Sequence, residues 1–131
     1  SRRFENVAGV EISAKAIECA NINMRINNIK NCEFLIGKAE TIFSGVSQRF
    51  DGRDTSVIID PPRAGCDRAF LQQLVAFGPE KLVYVSCAPD TQARDLAFLM
   101  SAGYDVKILQ PFDLFPQTRH IENVAVLQKR P

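Results

Sequence analysis

Glu11, Asp60 and Cys87 each close a short apolar run, and their residue types and places are suited to chemistry. Two carboxylates offer acceptors, and a thiol offers a nucleophile. Asp60 is the most constrained of the three. Val57, Ile58 and Ile59 read as a fully buried strand, and Pro61-Pro62 ends it because proline has no N–H to donate. The acid is thereby held on rigid backbone at the carboxyl end of a strand, where open α/β sheets bind ligands. The plainer reading is an acid that caps the proline turn. Glu11 can accept from both hydroxyls of a ribose, or be a solvated acid near a helix N-terminus. Cys87 follows a strand and precedes a helix start, where the macrodipole favours a thiolate. A free cysteine is otherwise a small core residue. Cys19 and Cys32 are expected to be core residues of that kind, and Cys66, beside Asp60, fits either description.

A second group lies near the C-terminus. His120 and Glu122 stand two apart on entering a strand, hence on the same side. His120 serves as a structural hydrogen bonder or a site residue, and Glu122 as a base or plain surface. Arg63 and Arg119 suit RNA phosphates or solvent equally. The chain has neither metal-ligand spacing nor a P-loop.

Alternating strands and helices must position these groups. Strands are expected at Val7–Ile12, Cys32–Ile36, 56–60, Lys81–Cys87, Tyr104–Leu109 and Glu122–Gln128. Ser13 caps a helix to about Asn27, with Ile17, Ala20, Ile22, Met24, Ile26 and Ile29 as its buried face. A short helix is expected over Lys38–Gly45 with Ile42 and Phe43 inward, then a polar loop over Val46–Thr55. Asp67 caps a helix burying Phe70, Leu71, Leu74 and Val75, which Gly78-Pro79 stops. The next starts at Asp90 or Thr91, buries Ala93, Leu96, Ala97 and Met100, and ends at Gly103. The expected architecture is a doubly wound sheet, mostly parallel with right-handed crossovers and an antiparallel edge.

At 131 residues the chain is one domain with room for a core. Hydrophobic residues at 46% and charged residues at 24% are those of an ordinary soluble globular chain. No apolar run approaches the ~20 residues that cross a membrane. The start is no signal peptide, and four cysteines without scaffold density read as reduced thiols of an intracellular protein, cytoplasmic or nuclear. A net charge of +1 does not advertise nucleic acid.

Five stretches occur in one order: Val10-Glu11-Ile12-Ser13 with an Ala-Asn helix, Asp60-Pro61-Pro62-Arg63-Ala64-Gly65, Ser86-Cys87-Ala88-Pro89-Asp90-Thr91, Asp113-Leu114-Phe115-Pro116-Gln117-Thr118, and His120-Ile121-Glu122. Over essentially its whole length the chain resembles the catalytic domain of the RNA uracil-5-methyltransferases. The resemblance implies a Rossmann-like methyltransferase fold, S-adenosylmethionine as cofactor and an RNA substrate. It makes Cys87 the nucleophile that adds to C6 of uracil and Glu122 the base that removes the C5 proton. It matches Glu11 to the cofactor ribose and Asp60 to the cofactor and uracil pocket, and it sets Arg63 and His120 as substrate-binding. The Phe-Pro-Gln-Thr-Arg-His segment is similar to the tRNA-modifying branch and its eukaryotic members. The alternatives are the same chemistry on rRNA, or a non-catalytic RNA-binding or chaperone module that keeps the fold.

Two departures stand out. The family reads Ser-Cys-Asn-Pro where this chain has Ala88. Its Gly-rich first strand and its upstream RNA-contacting parts are missing, so the chain is expected to be a C-terminal fragment of the catalytic domain. Such a fragment should bind cofactor weakly and show little activity by itself. A missing first strand would also expose apolar sheet edges, making a homodimer or a rearranged sheet plausible.

Overall fold

Ser13 and Asn27 bound the first helix, and the computed structural model bears out both ends. The structure describes residues 3–37, 43–46 and 48–131. The chain divides into two compact units, Ser1–Val46 and Ser47–Pro131.

The first unit contains β1 (Val7–Glu11), α1 (Ala14–Ile26), β2 (Cys32–Ile36) and the single turn α2 (Phe43–Val46). β1 and β2 run parallel, from Val7 opposite Cys32 to Glu11 opposite Ile36. Ser13 caps α1 by accepting from the Ala16 amide at 3.3 Å. The expected buried face of α1 needs correction. Ile17 is buried, whereas Ile22 and Ile26 are 40% and 71% exposed and Ile29 is also exposed. Residues 22, 24 and 26 stand two apart, which puts neighbours on nearly opposite sides of a 3.6-residue helix. Ile17, Ala20 and Met24, at i, i+3 and i+7, are the covered side. Cys19 falls opposite Ile17 and is exposed, so it is no core residue; Cys32 is half-buried. Of the helix expected over Lys38–Gly45, residues 38–42, Ile42 included, lie outside the described residues; Phe43 is buried.

The second unit runs from a 3₁₀ turn (Gly52–Asp54) through β3 (Ser56–Ile59), α3 (Arg68–Phe77), β4 (Lys81–Ser86), α4 (Pro89–Ser101), β5 (Tyr104–Phe112) and β6 (Glu122–Lys129). Its sheet has the order β3-β4-β6-β5. β3 and β4 are parallel, and β6 is antiparallel to both neighbours. The antiparallel strand thus lies inside the sheet, with β5 on its rim. Among the described residues β1 pairs with β2 alone and β3 with β4 alone, giving one sheet in each unit, α/β with parallel and antiparallel pairings as expected. No described helix is long and apolar enough to cross a membrane.

Asp67 caps α3 by accepting from the Ala69 amide at 2.7 Å, and Gly78, at φ 69°, ends it in the left-handed conformation. Phe70, Leu71 and Leu74 are buried as expected. On α4 the expected face is off by one residue. The buried positions are Gln92, Asp95, Leu96 and Leu99, while Ala93, Ala97 and Met100 are exposed. Apolar residues marked the wrong side because two of the buried positions are polar. β4 alternates cleanly, with Leu82, Tyr84 and Ser86 buried. Leu74, Leu82, Leu99 and Leu127 are fully buried, and each contributes roughly 1.5–3 kcal/mol of apolar burial. Ile58 does not share this layer. It pairs with Val83 on the other face and is 70% exposed, so β3 is not the fully buried strand that its composition implies.

Candidate active site

β3 ends at the buried Ile59, and Asp60 emerges into solvent ahead of the two prolines. Its carboxylate makes no hydrogen bond or ion pair among the described residues, so it caps nothing there and stays available as an acceptor. The backbone then turns tightly. The Gly65 amide donates to the Pro62 carbonyl at 2.8 Å, and Gly65 takes φ +78°. A Cβ at Gly65 would lie 2.6 Å from the Arg94 guanidinium and 2.7 Å from a carboxylate oxygen of Asp95. Glycine is therefore required twice over, by conformation and by space.

Cys87 sits immediately past β4 and two residues before the first residue of α4. Pro89 at N1 suits a helix start, but Ala88 offers no capping side chain. Ser86 braces the cap residue rather than the helix: its buried hydroxyl accepts from the Ala88 amide at 3.0 Å and lies 3.1 Å from the Ala88 carbonyl. The backbone beside Cys87 is thus held without any side chain at position 88. Cys87 itself is half-buried.

The base candidate follows from register. Ser86 pairs with Asn123 as the last pair of the antiparallel β4–β6 ladder, which leaves Cys87 just past one strand end and Glu122 just before Asn123 on the other. Glu122 is half-buried, and its carboxylate has no partner among the described residues. Behind it, Asn123 donates to the side-chain oxygen of Gln92. Gln92 in turn donates to the carbonyl oxygens of Tyr84 at 3.0 Å and Asn123 at 3.3 Å. Both side chains are buried with their polar atoms satisfied. This pair ties the first turns of α4 to the strand end that carries Glu122.

Arg63 and His120 come together. The Arg63 guanidinium donates to Nδ1 of His120, which requires that nitrogen to be unprotonated. The Phe115 ring meets the imidazole edge-on, with centroids 6.5 Å apart. Two loops distant in sequence, one after β3 and one before β6, are joined at this point. Arg119 is exposed.

Glu11 belongs to the first unit. It is exposed at the end of β1, and one carboxylate oxygen accepts from the Ser13 amide at 2.8 Å. Cys66 is no rival to Cys87. It lies against the Tyr84 hydroxyl, and burial pushes its thiol up to about 11. Burial and the Asp95 carboxylate likewise raise the Tyr84 hydroxyl, so both groups keep their protons at neutral pH. A shallow recess lined by Gln48, Phe50, Asp51, Ala76 and Phe77 lies beyond the amino end of β3 and includes none of these groups.

Thr91, Gln92, Arg94, Asp95 and Asn123 were not singled out by their sequence. The signal was present: Gln92, Asp95, Leu96 and Leu99 fall at i, i+3, i+4 and i+7, a helical face with two polar members.

Comparison with known proteins bears on this arrangement. Residues 1–130 match the family model described as tRNA (Uracil-5-)-methyltransferase. The chain is 44% identical to a tRNA (uracil(54)-C(5))-methyltransferase of Schizosaccharomyces pombe, covering 98% of this chain and 25% of that protein. It is 40% identical to the protein of the same name from Saccharomyces cerevisiae, covering 98% and 21%. The chain thus spans about a quarter of the length of these curated relatives. Among solved structures, Pyrococcus abyssi tRNA (uracil-54, C5)-methyltransferase in complex with S-adenosyl-L-homocysteine superposes with a TM-score of 0.80 at 38% identity, over 96% of this chain and 29% of that one. NSun6 from Pyrococcus horikoshii, at 15% identity and TM-score 0.70, shares the Rossmann-like methyltransferase fold.

Proposed function

Since the chain belongs to the tRNA (uracil-5-)-methyltransferase family, we propose that within its full-length protein it methylates C5 of a uridine in tRNA through a covalent adduct on Cys87. The observation that carries this reading is the Ser86–Asn123 pair, which brings the ends of β4 and β6 next to Cys87 and Glu122 together. A nucleophile and a base on opposite strands suit a reaction that needs attack at one carbon of a ring and proton removal from the next.

S-adenosylmethionine, when bound, supplies an electrophilic methyl group. The residues fit it in kind. Glu11 and Asp60 are exposed, acceptor-only carboxylates at strand ends, the chemistry that ribose hydroxyls and ammonium groups require. The chain's own residues do the rest. The Cys87 sulfur adds to C6 of uracil, and the electron pair moves to C5, making that carbon nucleophilic. After C5 is methylated, Glu122 takes its proton, the S–C6 bond breaks, and the C5–C6 double bond re-forms with Cys87 free. The target base leaves its stack to reach Cys87, at a cost of a few kcal/mol that RNA contacts offset. Arg63, oriented by His120, is placed to meet substrate phosphate or uracil oxygen.

Among the described residues β1 pairs with β2 alone and β3 with β4 alone, so each would accept an added parallel strand from elsewhere in a longer protein. Isothermal titration of the 131-residue chain with S-adenosylmethionine tests the need for it, and micromolar binding would contradict it. The activity itself is tested by incubating full-length protein and methyl-labelled S-adenosylmethionine with tRNA and rRNA, then separating the nucleosides. Labelled 5-methyluridine from tRNA supports the reading. Label in rRNA alone would move the substrate, and no label in either would remove the activity.

A further inference from the structure

Three side chains of α4, at i, i+3 and i+4, grip the backbone of the loop that follows Asp60. The Thr91 hydroxyl lies 2.9 Å from the Arg63 carbonyl oxygen and 3.1 Å from that of Ala88, and its one proton serves either. The Arg94 guanidinium donates to the Ala64 carbonyl at 3.0 Å and the Cys66 carbonyl at 3.4 Å. One Asp95 oxygen accepts from the Cys66 amide and from the Tyr84 hydroxyl, both at 2.7 Å, and the other accepts from Arg94 Nε at 2.9 Å. Asp95 is 1% exposed, and its carboxylate is nevertheless fully partnered. The loop approaches α4 so closely that only glycine fits at position 65.

That helix begins just past Cys87. One helix therefore starts two residues after Cys87, holds the Arg63 carbonyl from its first turn through Thr91, and holds Ala64 and Cys66 from its second through Arg94 and Asp95. We propose that Thr91, Arg94 and Asp95 are positioning residues that set Asp60 and Arg63 relative to Cys87. The proposal rests on the reading of Cys87 and Asp60 given above. None of the three needs to touch substrate. Buried polar groups on a helix are costly unless paired, and here Thr91, Arg94 and Asp95 each pair with the backbone of the site loop. A misplacement of about 1 Å in such a loop is enough to cost a hundredfold in rate.

The test uses full-length protein. Arg94→Met is the gentle variant, because the Arg94 side chain is 57% exposed. Asp95→Asn is the shape-preserving one. It keeps one oxygen for Cys66 and Tyr84 but turns an amide N–H toward Arg94. Hydrogen exchange of the peptide spanning 60–66 is expected to quicken about tenfold in both, with the melting temperature moving by less than about 4 °C. Turnover at saturating RNA and cofactor is expected to fall at least about tenfold, with partial recovery in Arg94→Lys. Turnover within about twofold of wild type, or a loss matched by a large drop in melting temperature, would overturn the inference. A parallel trap with 5-fluorouridine RNA separates the two levels. If Cys87→Ala still forms the adduct, the underlying reading fails. If the adduct needs Cys87 while Arg94→Met keeps its turnover, only the positioning role fails.

Discussion

Cys87 and Glu122 flank the last pair of the β4–β6 ladder: Cys87 follows Ser86, and Glu122 precedes its partner Asn123. The ladder and the buried Gln92–Asn123 pair fix the neighbouring backbone without contribution from either side chain. Nucleophile and base can therefore be altered singly while their backbone positions persist.

Glu122→Gln in the full-length protein should allow Cys87 to add to uracil but slow release of the methylated base. Turnover should drop by roughly 10²–10⁴-fold, the usual contribution of a general base. Denaturing gels should show protein–RNA adduct accumulating with ordinary, unfluorinated tRNA. An inactive variant without adduct would place Glu122 before the methylation step.

Gly65→Ala should be among the more damaging single-methyl changes in the chain. It adds left-handed strain at φ +78° and a contact inside 3 Å with Arg94 and Asp95, for a combined cost of roughly 2–4 kcal/mol. Urea unfolding measures it. A loss below about 1 kcal/mol would mean that the loop relaxes away from α4 at little cost.

Alkaline pH should weaken the fold through Cys66. Burial raises its thiol from 9.0 to about 11. Between these values the folded chain keeps a proton that the unfolded chain has released. The contribution is complete below 9.0 and lost as pH rises through about 11. Allowing for partial exposure, it is on the order of 1–2 kcal/mol. Cys66→Ser should lose correspondingly less stability than wild type between pH 9.0 and about pH 11. Parallel pH curves for the two proteins would contradict the assignment.

The strand ends were legible from sequence because proline pairs, glycines and β-branched runs punctuate them. Asp60, Cys87 and Glu122 each lie at or one residue past a strand terminus, as their flanking residues imply. The faces of α1 and α4 were not legible. On α1 Ile22 and Ile26 fall on one helical face that is nevertheless exposed while Ile17, Ala20 and Met24 are covered, and on α4 buried Gln92 and Asp95 break the rule that polar residues point outward. Those polar residues are satisfied only by groups far away in sequence, such as Cys66, Tyr84 and Asn123. Local pattern holds no trace of such partners. The Arg63–His120 contact is of the same kind, joining two loops 57 residues apart.

Mass spectrometry of the adduct formed by the full-length protein with 5-fluorouridine tRNA and S-adenosylmethionine tests the central claim most directly. The fluorine blocks release, so the trapped RNA should be found on the peptide containing Cys87 and carry one added methyl group. The adduct should be missing from Cys87→Ala. An adduct on another cysteine, or one that survives in Cys87→Ala, would contradict the account.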